Sequence, residues 1–271
     1  MVSAAPDRVS PSAGLAPAWA AVRTQVALVA VLFALAAVAW WSTADRMRDM
    51  DEGPWTALGS FGWFLGVWLV MMAAMMLPSV APTVALYTRM TKARGRLSPV
   101  PFVAGYFLVW GVVGAVAFAV ASVLGDVLAW DRAGRWIAGG TLLAAAVYEL
   151  TPAKTICLQK CRSPLGFLLG AWREGARGAL TMGSKHGAWC VGCCWALMAS
   201  LFALGVMSLA WTAFVAALIA IEKLLPWRRV ATYGTAAVLL ALGVLLLVAP
   251  EAIPALTLPS GNPMPAMSMG S

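Results

Sequence analysis

Five cysteines and the chain's only histidine fall within 38 residues, at Cys157, Cys161, His186, Cys190, Cys193 and Cys194. Thiolates and an imidazole together suit soft or borderline ions such as Cu(I) and Zn(II), and four such donors close a tetrahedral site. Cys157 and Cys161 are four residues apart and share a face if helical. His186, Cys190 and Cys193 follow an i, i+4, i+7 pattern on another face, and Cys194 also lies four residues after Cys190. Two other uses of the same residues stay open. Cysteines are small and bury well, so they can simply pack helices in lipid. Cys190-x-x-Cys193 also has the spacing of a redox pair.

Methionines extend the soft-donor inventory. Met71/Met75 and Met72/Met76 form two stacked i, i+4 pairs in the run Met71 to Ser79. Thioethers are soft ligands that pass Cu(I) along, and they are also ordinary apolar filler. A third set, Met264, Met267 and Met269, sits in a terminal segment with too much Pro and Gly to be helical and too little bulk to pack. A flexible Met-x-x-Met-x-Met segment captures Cu(I) or Ag(I) weakly. Zinc fits the thiols but not the thioethers, so copper is favoured over zinc as the transition metal. Glu149 and Glu222 are candidate buried charges, each able to snorkel to a membrane interface instead. With one histidine there is no Ser/His/Asp set, and no Walker loop or dinucleotide Gly fingerprint appears. An enzyme of familiar soluble type is not indicated.

The elements that must position these residues are set by composition. Of 271 residues 62% are hydrophobic and 11% charged, against about 25% charged in soluble domains. The apolar residues come in runs of about 18 or more, enough to cross roughly 30 Å of hydrocarbon as helix. The net charge of +8 is spread between those runs rather than gathered into a patch, which excludes nucleic acid as the partner and points to the lipid bilayer. The expectation is an all-α, polytopic transmembrane bundle of seven spans, near 22–41, 58–77, 102–123, 134–151, 188–206, 208–224 and 230–249. The fifth and sixth form one stretch of about 35 apolar residues, Gly187 to Ile221, too long for one crossing without extreme tilt. A hairpin near Gly205 to Ser208 splits it. Cytoplasmic loops collect Lys and Arg, and with that hairpin 15 of the 19 basic residues lie inside. The basic loop Arg89, Lys92, Arg94, Arg96 and the loop containing Lys154, Lys160, Arg162, Arg173, Arg177 and Lys185 face the cytoplasm, as does Lys223. The acidic segment Asp45, Asp49, Asp51, Glu52 and the one with Asp126 and Asp131 face out. This gives a polar segment 1–21 inside, a membrane domain 22–249 with a cytoplasmic loop around 152–187, and an exported tail 250–271, in a bacterial inner membrane. Trp40, Trp41, Trp110, Trp130 and Trp136 fit interfacial belts. Pro78, Pro82 and Pro152 free carbonyls near the cytoplasmic face.

In Met71–Pro82 (MMAAMMLPSVAP), Tyr148–Pro164 (YELTPAKTICLQKCRSP), Lys185–Met198 (KHGAWCVGCCWALM) and Glu222–Pro226 (EKLLP), the chain resembles a bacterial family of multi-pass integral membrane proteins labelled as predicted metal-binding, of unknown function. The resemblance implies a membrane bundle with a metal. It runs from span two to span six and leaves out the Met-bearing tail.

Three functions follow as expectations. The favoured one binds or translocates Cu(I) through the Cys/His cluster and the methionines, with a metal-donor or acceptor protein as partner. No ATP motor is visible. The second is a membrane thiol-redox or assembly factor cycling the cysteines, and the third is a structural subunit of an oligomer or larger membrane complex.

Overall fold

Long runs of Leu, Val, Ala and Gly without charge close every backbone hydrogen bond inside their own segment, which in an apolar setting leaves the helix as the favoured form. The computed structural model describes residues 12–47, 59–92, 99–124, 132–204, 208–225 and 227–249, and the regular elements among them are all α-helices. They are α1 (Ser12–Met47), α2 (Phe61–Lys92), α3 (Val100–Leu124), α4 (Arg132–Glu149), α5 (Pro152–Arg162), α6 (Pro164–Ala171), α7 (Gly175–Leu204), α8 (Leu209–Leu224) and α9 (Arg228–Val248). Five of them, α1, α2, α3, α7 and α9, are long and apolar enough to cross a membrane. α4 and α8 lie at the fourth and sixth expected spans but do not join that group: α8, with 16 residues, extends only about 24 Å, and α4, with 18, carries Arg132, Arg135 and Glu149.

Several boundaries differ from expectation. α2 continues through Pro78 and Pro82 to Lys92, so Arg89 stands on a helix rather than in a loop. A proline inside a helix removes one donor, and here Ser79 Oγ donates to Met76 O at 2.9 Å beside the first of them. Residues 152–187 hold α5, α6 and the start of α7. Thr151 caps α5, its side chain accepting from Lys154 N, and Pro152 takes the first turn, where its missing N–H costs nothing. The Tyr148–Pro152 motif is therefore a corner that turns α4 into α5. Gly175, at φ +78°, makes the reversal that starts α7. Because α7 begins that early, His186 and its cysteines lie along the middle of a 30-residue helix rather than at a span edge. α7 ends at Leu204 and α8 begins at Leu209; the expected hairpin residues Gly205 to Met207 lie outside the described residues.

α7 is the centre of the packing, lying along α3, α4 and α5, while α1 pairs with α2 and α9 with α4. Glycine sets the α3–α7 approach. A Cβ at Gly105 would stand 2.1 Å from Leu180 O, and one at Gly183 would stand 1.9 Å from Phe102 O. Backbones meet closely there because no side chain intervenes, the usual device where lipid supplies no hydrophobic drive between helices. Trp110 is a correction: it is fully buried, its carbonyl accepting from Trp68 Nε1 at 2.9 Å, whereas Trp41 and Trp136 are exposed as a belt requires. Trp130 lies outside the described residues, as do Arg94, Arg96, Asp49, Asp51, Glu52, Asp126 and Asp131.

Candidate metal centre

The close α3–α7 contact brings Tyr106 against Cys190, its hydroxyl 3.0 Å from the thiol sulfur. On the same helix Cys193 lies one turn on, facing α5, and its Sγ is 3.7 Å from that of Cys161. The sulfurs of Cys161, Cys190 and Cys193 lie within 4.8 Å of one another. From α2, Met76 places its Sδ 3.8 Å from Cys190 Sγ. Two sulfurs sharing one ion at about 2.3 Å stand roughly 3.8 Å apart in tetrahedral geometry, so both observed separations match a shared metal. Three helices thus contribute four soft donors.

The other candidates are placed as follows. His186 is buried, ringed by Phe102, Tyr106 and Phe167, with its Nδ1 lacking a hydrogen-bond partner. It lines one cavity of about 250 Å³ with Cys161, Cys190, Arg162, Lys223 and Ser79, yet it stands outside the close group of three thiols. Cys194 is buried and donates to Cys190 O at 2.9 Å, turned back onto its own helix. Cys157 is half-buried against Gly192, where a Cβ would meet its sulfur at 2.7 Å, and it too is outside the group. Met71, Met72 and Met75 are buried in the core with Met76, and of these four only Met76 is seen to reach the cysteines. Met264, Met267 and Met269 lie outside the described residues. For Cys161, hydrogen bonding with Cys190 and Cys193 together with burial holds the thiol well above its usual range. Burial pushes the Cys157 thiol up as well.

Two features go beyond the sequence reading, which left Glu149 and Glu222 as either buried or snorkelling charges. Lys223, read from sequence as an interfacial basic residue, reaches the sulfurs: its Nζ is 3.1 Å from Cys190 Sγ, 3.6 Å from Met76 Sδ and 3.4 Å from Ser79 Oγ. Its neighbour Glu222 does not snorkel. It is buried with Glu149 around Lys154, whose Nζ donates to Glu149 Oε1 at 2.6 Å and Glu222 Oε2 at 2.7 Å. Burial alone would push the Lys154 ammonium down, but Glu222 and Glu149 hold it above its ordinary value. Arg162, one residue past Cys161, donates to Glu222 O at 2.6 Å and to Leu225 O, so the end of α5 that carries Cys161 is tied to the end of α8. The signal available in sequence was only that both glutamates sit in motifs carrying a lysine, Glu149 five residues before Lys154 and Glu222 next to Lys223.

The fold and the site together define an all-α bundle of apolar helices built around a cluster of thiols with a thioether at its edge. The chain belongs to the copper chaperone family PpoB2, whose model matches residues 65–246. That stretch contains the whole sulfur cluster, the buried Lys154 and the half-buried Lys223. No curated protein and no solved structure matches the chain. Family and cysteine cluster both support copper as the metal.

Proposed function

We propose that this protein is a membrane-embedded chaperone that holds Cu(I) on Cys161, Cys190 and Cys193, with Met76 as a fourth soft donor, and passes it to a partner protein. The observation that carries this is the convergence of four sulfurs from α2, α5 and α7 at separations that one ion would bridge. Sulfur-only ligation selects a soft monovalent ion over harder divalent ones. His186, with an unpartnered Nδ1 in the same cavity, is positioned as an entry ligand rather than a member of the resting set. Five helices of spanning length support the membrane setting, and the distribution of basic residues supports seven crossings in a bacterial inner membrane with the sulfur site toward the cytoplasm. In that orientation Met264, Met267 and Met269 meet the ion on the exported side.

Elemental analysis of protein purified reduced in detergent tests this, comparing the parent with a His186→Ala, Cys190→Ser double variant. About one copper per chain, lost in the variant, is expected. Zinc in place of copper, or no metal after both are offered, would overturn the reading. The thiol-redox alternative draws on the 3.7 Å between Cys161 and Cys193, close enough for a disulfide after a small shift. It predicts oxidation of that pair during turnover without stoichiometric metal.

A further inference from the structure

We propose that Lys223 is the resident cation of the copper-free site and yields its place to the incoming ion, so that the site exchanges one monovalent cation for another. The inference rests on the copper reading above and specifies how that site is held before loading. The side chain touches two of the four sulfurs assigned as ligands, Cys190 Sγ at 3.1 Å and Met76 Sδ at 3.6 Å. An ion bonded to both of those sulfurs at about 2.3 Å would stand no more than about 4 Å from the present position of the ammonium, where two like charges repel, so loading drives the side chain away.

The surroundings of Lys223 are unusual for a lysine drawn into a protein. Among the described residues no carboxylate lies within ion-pair distance of it, while Lys154 takes both buried glutamates. Lys223 is half-buried, and an ammonium partly withdrawn from water gains from an electronegative partner. Here its partners are a thiol, a thioether and the Ser79 hydroxyl. The electronegative partner is therefore the sulfur cluster itself, the same group that binds the metal. A compact ammonium on a flexible stem is a hard ion among soft donors, which makes it a weak occupant that a soft cation displaces.

The displaced side chain has somewhere to go. Lys223 lines the cavity of about 250 Å³ that also carries Ser79, Arg162 and His186. Withdrawal into it keeps the ammonium near polar groups. Uptake of Cu(I) with release of the thiol protons leaves the sulfur cluster net negative, and the ammonium kept in the adjoining cavity offsets part of that charge. Selectivity for a soft ion follows from the sulfur donors. No electron is transferred, and each thiol that becomes a ligand releases its proton to solvent.

Amine footprinting of the full-length protein in detergent tests the exchange. Reduced protein is treated with acetic anhydride before and after one equivalent of Cu(I), and in parallel with Ag(I), with bound metal measured on the same samples. The exposed Lys160 and Lys185 serve as internal references. A several-fold rise in Lys223 acetylation on loading with either ion, with the references constant, is the expected result. Unchanged or reduced acetylation of Lys223 in protein that carries the metal would overturn the exchange while leaving the copper site standing. Protein that takes up neither ion would overturn the copper site and the exchange together.

Discussion

Two lysines drawn into the same end of the bundle have opposite surroundings. Lys154 is fully buried between two carboxylates, at 2.6 and 2.7 Å. Lys223 meets sulfur and a hydroxyl. The two environments are joined by consecutive residues of α8, since Glu222 turns to Lys154 and Lys223 turns to Cys190. One is a clamp that ties α4, α5 and α8 together, because each carboxylate would be left uncompensated without the ammonium. The other is a cation among donors that prefer a metal. A buried charge paired with hard oxygen fixes helices in place; the same charge placed on soft sulfur leaves a site that can be loaded.

The largest effect should come from breaking the clamp. Lys154→Met strands two buried carboxylates and is expected to cost about 3–5 kcal/mol, read as a lowered unfolding temperature in detergent; a change below about 1 kcal/mol would mean the clamp is not structural. On the sulfur side, Cys190→Ser is expected to weaken Cu(I) binding by about a hundredfold, or ~2.7 kcal/mol, with the unfolding temperature little changed. A competition titration against a chromophoric Cu(I) chelator measures it, and equal loss of stability and affinity would erase the distinction between the two regions. Met76→Leu keeps volume and should weaken Cu(I) by about tenfold, ~1.4 kcal/mol, whereas Met71→Leu and Met72→Leu should leave affinity unchanged. Titration across pH sharpens the assignment: the Cys161 thiol is held above its usual range, so the ion must displace a proton there, and apparent affinity should rise with pH. The smallest effect belongs to Cys194→Ser, which removes a thiol bonded only to its own helix and should keep full copper stoichiometry.

Much of this was legible in the chain. The helical, apolar character follows from run length and low charge; each expected span overlaps a helix, and five of those helices are long and apolar enough to cross a membrane. The cysteine cluster was visible as a composition anomaly, and the i, i+4, i+7 spacing put His186, Cys190 and Cys193 on one face of α7, where all three are buried. The membership of the site was less legible. Cys194 has the same four-residue spacing from Cys190 as any helical partner, yet its sulfur returns to Cys190 O, and Cys157 ends against Gly192 while Cys161 reaches Cys193. Periodicity says which residues share a face; it does not say which of them meets a neighbour.

By itself the sequence determined the element type, because backbone polar groups in apolar runs have only helical partners within reach, and it determined the donor chemistry, because residue type alone makes a ligand soft. The tertiary structure decided which donors converge. Gly105 and Gly183 let α3 and α7 approach until Tyr106 meets Cys190, and the corner at Thr151–Pro152 swings Cys161 toward α7. It also decided the fate of the charges. Lys154 and Lys223 read in sequence as cytoplasmic basic residues and Glu222 as either a buried or a snorkelling charge, and only the packing of α5 and α8 against α4 and α7 gave one lysine two carboxylates and the other a place among sulfurs. Local sequence holds Glu149 near Lys154 but says nothing of Glu222 or of the sulfurs around Lys223, partners that lie tens of residues away.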